Sequence, residues 1–154
     1  MSEMRRRADI AMYKANPKKT GSVAQFKMAN NNDCMFLECA NQIGEPKSSK
    51  PYDWENKIIV KLGTTDICKM LAYFRLHQPN AALKIYHESP NGGNKGIELK
   101  WQEYNGKQSY YLTVTHQKSK GDKPNKVGTP IGFDEIEYLI IGFQKALELI
   151  LNWD

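Results

Sequence analysis

The sequence predicts an α+β fold of antiparallel, strand-rich sheets with two helices, the C-terminal one long and apolar. Three observations carry this. Apolar residues alternate with period two through much of the chain, the Asn105-Gly106 dipeptide sits between two such alternating runs, and no proline interrupts the helical apolar spacing from Glu135 to Asn152. With 154 residues, 40% hydrophobic and 25% charged, the chain is sized for one core. It divides into a basic, flexible arm over residues 1–20 and a single domain over residues 21–154.

The arm carries Arg5, Arg6, Arg7, Lys14, Lys18 and Lys19 and is broken at Asn16-Pro17 and Thr20-Gly21, although Ile10, Met12 and Tyr13 suit a short docked segment. From Gly21, Ala24, Phe26 and Met28 alternate with Val23, Gln25 and Lys27. Turn residues Asn30 to Asp33 then return the chain as a second strand from Cys34 to Gln42. Pro46 and Pro51 mark the segment from Gly44 to Asp53 as a polar loop. The β-branched run Lys57–Leu62 is a strand closed by Gly63, after which Thr64, Thr65 and Asp66 can cap a helix beginning near Ile67. Ile67, Leu71 and Phe74 form its core stripe and Pro79 ends it.

Strands follow at 82–88, 96–104, 109–117 and 127–131, with the Asn105-Gly106 turn fixing a meander. In the last helix Asp134 and Glu137 have N-cap-to-N3 spacing, and Ile136, Leu139, Ile140, Phe143, Leu147, Ile150 and Leu151 cover one broad face. Such a helix is too apolar to be half solvated. It is expected to pack on the sheet with one side and to meet a second helix with the other, either the earlier one or its copy in a homodimer or higher homo-oligomer. Trp153 is expected in the core or an interface.

Lys and Arg total 22 against 17 Asp and Glu, a net charge of +5 that favours polyanionic partners. Cys34, Cys39 and Cys68 make no CxxC pair and His77, His87 and His116 are scattered, so neither a metal nor another cofactor is expected. The absence of a long apolar run argues against a membrane partner and for a cytoplasmic or nucleoid-associated protein, a phage product in its host cytoplasm included. Nucleophile-elbow, P-loop, dinucleotide-binding and zinc-protease motifs are missing. The abundant carboxylates have no spacing that compels a nuclease centre, so no enzyme is expected.

Side-chain alternation then separates what packs from what is presented. Lys84 and Tyr86, Lys100 and Tyr104, and Tyr111 with its neighbouring threonines fall opposite the apolar sets of their strands. Cations for phosphates, flat rings for bases and amides or hydroxyls for base edges are what a single-stranded nucleic acid requires. Lys27, Lys61, Lys84, Lys100 and Lys118 are the candidate phosphate contacts, Tyr86, Tyr104 and Tyr111 the candidate stacking platforms, and Trp54 a further platform beside a basic loop.

Strands, helix, four-strand meander and a long apolar last helix, below an open cationic and aromatic face, resemble the Whirly-like fold and its relatives, the positive-cofactor coactivators and mitochondrial guide-RNA-binding proteins. The resemblance covers Gly21 to Trp153 and rests on element order; the lysine-glycine-lysine-alanine-alanine string of plant Whirly proteins does not occur. It implies curved antiparallel sheets that hold single-stranded DNA or RNA with bases stacked on aromatics. The expected function is non-catalytic, largely sequence-independent binding of single-stranded DNA in replication, recombination or transcription. RNA binding, or protein interaction through the last helix, is the alternative.

Overall fold

Alternating apolar residues give each strand one face to bury, and eight such strands assemble into two sheets, each followed in the chain by a helix. A computed structural model describes residues 7–77 and 79–153. The elements are β1 (Ile10–Lys14), β2 (Ser22–Met28), β3 (Met35–Asn41), β4 (Ile58–Leu62), α1 (Thr64–Leu76), β5 (Leu83–Glu88), β6 (Asn94–Tyr104), β7 (Lys107–Gln117), β8 (Asn125–Ile131) and α2 (Phe133–Leu151). Both sheets are antiparallel meanders, ordered β1-β2-β3-β4 and β5-β6-β7-β8.

The inner faces of both sheets share one core with both helices. A chain of rings runs through it. Phe26 of β2 meets Phe143 of α2 edge-on at 5.3 Å, Phe143 stacks on Phe74 of α1 at 6.1 Å, and Phe74 meets Tyr110 of β7 at 5.6 Å. Each such pair adds about 1 kcal/mol to its area burial, so the layers are fixed by specific contacts as well as by bulk burial. Polar joints hold the sheets where β2 nears β8: Ser22 Oγ donates to the Gly128 carbonyl at 2.6 Å and lies 2.8 Å from Thr129 Oγ1. The expected second helix beside α2 is therefore α1. Gly142 lets the tip of the Ile10 side chain of β1 pack directly against the α2 backbone, where a Cβ would displace it.

Three expectations are corrected. The arm gives way at Ile10 to β1, which pairs with β2 from Ile10↔Phe26 to Lys14↔Ser22; residues 1–6 lie outside the described residues. Met12, one of the residues suited to a docked segment, is buried in the core, and Lys14, one of the charges that suggested a tail, pairs through Nζ with Glu135 at 2.6 Å and helps to dock it. The helix caps are glycines: Asp66 accepts the Gly63 N–H at 3.1 Å and Glu135 the Gly132 N–H at 3.0 Å. Thus α1 begins at Thr64, and the N-cap of α2, Gly132, lies two residues before the expected Asp134. Trp153 is 83% exposed rather than buried. Among the described residues no helix is long and apolar enough to cross a membrane.

Candidate nucleic-acid interface

The register of β5–β8 decides which side chains emerge together. Tyr86 pairs with Gly96, Gly96 with Thr115 and Thr115 with Lys126; the next row is Lys84, Glu98, Thr113 and Gly128; the next is Lys100, Tyr111 and Pro130. All of these point away from the core formed by Ile85, Ile97, Leu99, Leu112 and Val114. Together they line a shallow groove of about 610 Å³. Tyr86 and Tyr104 are 61% and 73% exposed, while Tyr111 is half-buried with its phenol laid across Gly128, where a Cβ would overlap it.

Tyr86, Tyr111 and Tyr104 lie in rows four residues apart, about 13 Å along the strand direction, on β5, β7 and β6. The rings therefore form a staggered series across three strands, suited to several bases splayed along a strand and not to one buried ligand. The Asn105-Gly106 turn that anchors this register has φ of 52° and 76°. Positive φ at both central residues belongs to the tight hairpin turn whose twist matches its strands, which is why the dipeptide is needed there.

Of the nine candidate residues, Lys84, Tyr86, Lys100, Tyr104 and Tyr111 are thus brought to one face. Lys118 is exposed just beyond the end of β7. The other three lie on the first sheet. Lys27, Phe36 and Lys61 form a cross-strand row on its outer face, and Trp54 sits half-buried on a 3-10 turn with its ring 6.3 Å from that of Tyr52.

Lys27 is not a free cation. Its ammonium lies 3.0 Å from the buried Glu38 carboxylate, which Lys57 approaches at 3.4 Å and to which Gln25 Nε2 donates at 2.9 Å. Burial alone would raise the Glu38 pKa, but the hydrogen bonds from Lys27 and Gln25 and the charges of Lys57 and Lys27 outweigh it and hold the carboxyl below its ordinary range. Farther along the same face, Tyr52 covers Val23 and Ala40 in a small apolar cluster against which Trp54 packs. Its chemistry is that of a chain segment closing over its own sheet.

Sequence reasoning missed Lys126 and Phe36. Lys126 falls just before the strand expected at 127–131, yet Lys126, Gly128 and Pro130 alternate with Val127, Thr129 and Ile131, and that alternation is the available signal. Phe36 is half-buried between Lys27 and Lys61, a placement only pairing reveals. Among the described residues no group of three or more His, Cys, Asp or Glu converges as a metal site.

This architecture has known counterparts. WHY3 from Arabidopsis thaliana matches with a TM-score of 0.72 at 17% identity over 98% of this chain and 92% of that one. MRP1/MRP2 from Trypanosoma bruciei matches with a TM-score of 0.69 at 11% identity over 94% and 86%. A guide-RNA-binding protein complex bound to a guide RNA matches at 0.66 and 12% identity over 94% and 92%. At these identities the likeness is one of fold. No protein of curated function matches the sequence. The family model described as Whirly transcription factor matches residues 4–141, nearly the whole chain. This chain, with its two four-stranded sheets, thus belongs to the Whirly transcription factor family.

Proposed function

We propose that this protein binds single-stranded DNA, largely independently of sequence, on the outer face of β5–β8, and that it acts as a binding protein and not an enzyme. One observation carries the reading: Tyr86, Tyr104 and Tyr111 emerge with Lys84, Lys100 and Lys126 from the same side of one sheet. Stacking is worth roughly 1–3 kcal/mol per base and tolerates any base, so three rings supply affinity without demanding a sequence. The lysines supply the phosphate contacts and hence a salt dependence. Lys118, exposed just beyond the end of β7, offers a further phosphate contact at the margin of this face, and Lys61, exposed on the first sheet, a separate one. The family description favours transcription as the process served. RNA is the nearest alternative ligand, since the 2′-hydroxyl decides between the two and the tyrosine platform is indifferent to it.

A titration of fluorescent single-stranded and duplex oligonucleotides of equal length at two salt concentrations tests this. Single strands are expected to bind more tightly, with each lysine-to-alanine change at 84, 100 or 126 lowering the log–log salt slope by about 0.7. Equal affinity for both forms would remove the stacking argument.

A second reading concerns assembly. Tyr138 and Ile141 are 54% and 62% exposed on a flank of α2, and Leu151 is 55% exposed at its end, which favours a homodimer or higher homo-oligomer formed through this helix. Sedimentation at rising salt checks it, because apolar pairing persists where phosphate binding weakens.

A further inference from the structure

We infer that Glu98 reads the edge of a base in the bound strand and gives this protein a preference for guanine at one position of the groove; this rests on the single-strand reading above. Glu98 lies in the central row, between the row of Tyr86 and the row of Tyr111. A carboxylate in a phosphate-binding groove repels the ligand's backbone, so its position calls for an explanation beyond general charge.

Neutralising the nearby lysines does not supply that explanation. Lys84 Nζ stands 3.9 Å from Oε2 and Lys100 Nζ 3.8 Å from Oε1, beyond hydrogen-bond length on both sides. The side chain is one-third exposed, and among the described residues no hydrogen bond occupies either oxygen. Two ammonium groups thus flank the carboxylate, one beside each oxygen, while leaving its lone pairs open to the groove.

An ionised carboxylate only accepts hydrogen bonds, through two oxygens side by side. A base stacked on Tyr86, one row away, can present its Watson–Crick edge to this row. On that edge guanine carries two adjacent donors, N1–H and the 2-amino group, which match both oxygens at once. Adenine and cytosine offer an amino group beside a ring-nitrogen lone pair. Thymine and uracil set their single N–H between two carbonyl oxygens that a carboxylate repels. The order expected is guanine first and thymine or uracil last, superimposed on stacking that accepts all of them.

Anisotropy titrations of the full chain with three labelled strands test this: oligothymidylate, the same strand with isolated deoxyguanosines spaced through it, and the same strand with deoxyinosine at those positions. The wild type should favour the guanosine strand by about tenfold, in line with a bidentate base contact, and the inosine strand, lacking the 2-amino group, should lose most of that gain. Glu98→Gln, which offers one acceptor oxygen beside a donor, should reduce the preference to less than about twofold while binding oligothymidylate at least as tightly as the wild type. A preference unchanged in E98Q, an inosine strand equal to the guanosine strand, or no preference in the wild type would overturn the inference. The inosine arm needs no protein variant. Failure of every strand to bind would instead overturn the single-strand reading and this inference with it.

Discussion

On the outer face of β1–β4 a buried carboxylate, Glu38, gathers Lys27, Lys57 and Gln25 around itself, whereas on β5–β8 the one-third-exposed Glu98 leaves Lys84 and Lys100 almost 4 Å away. The rings differ in the same sense. Tyr52 is buried over Val23 and Ala40 with Trp54 against it, while Tyr86 and Tyr104 stand free. Two sheets of identical topology thus carry similar residue types in different states: the first engages Lys27 and Lys57 with Glu38 and packs Trp54 against Tyr52, and the second holds its lysines and two of its tyrosines available. Binding capacity follows the availability of charged and aromatic groups, not their number.

The largest effect should come from the rings. Replacing Tyr86 and Tyr111 together by alanine is expected to weaken single-strand binding by about a hundredfold or more, while Trp54→Ala changes it by less than about threefold. Fluorescence titration gives both numbers, and a thermal melt separates binding from folding. Tyr86 lies outside the core, so Y86A alone should leave the melting temperature near that of the wild type. If W54A matched the tyrosine double variant, the contrast between the sheets would fall, and the first sheet would be part of the site.

The faces of the second sheet were legible because their alternation runs uninterrupted from Leu83 to Glu88 and from Ile97 to Tyr104, with Asn105-Gly106 pinning the register. β1 was obscured because a five-residue edge strand among basic residues exposes Tyr13 and buries Met12 only through pairing with β2. The state of Lys27 depended on Glu38, eleven positions away in sequence but on the neighbouring strand of the same face. The helix caps were displaced because Gly63 and Gly132 have no capping side chain, and the carboxylates of Asp66 and Glu135 reach back instead. Alternation reports which face a residue occupies. It does not report which partner that residue finds there.

The second effect sharpens this contrast. Glu38→Ala leaves Lys27 and Lys57 without their shared partner and Gln25 without its acceptor, and is expected to cost about 2 kcal/mol of stability by urea denaturation. Single-strand binding should change by less than about threefold. A marked gain in affinity would mean that Lys27, once released, reaches the ligand, and that the self-pairing of the first sheet is what excludes it.

The smallest effect is a pH dependence. His116 of β7 is half-buried opposite Lys95, with Lys118 two residues on; burial first, and then these two charges, hold its pKa below the ordinary 6.5. The unfolded chain therefore takes up this proton more readily than the folded one. The neutral side chain's contribution is complete above pH 6.5 and declines as pH falls from there toward the folded value. Glu38 adds a second decline at lower pH, since a carboxyl held below 4.5 loses its advantage as pH drops from that value through its folded pKa. Between pH 7.5 and 5.5 the melting temperature should fall by about 2 °C from His116, and His116→Gln should flatten that interval while leaving the lower decline in place. A slope that survived H116Q would transfer the upper transition to another group. One that vanished at both ends would show that the two sheets, for all their separate faces, titrate as a single cooperative unit.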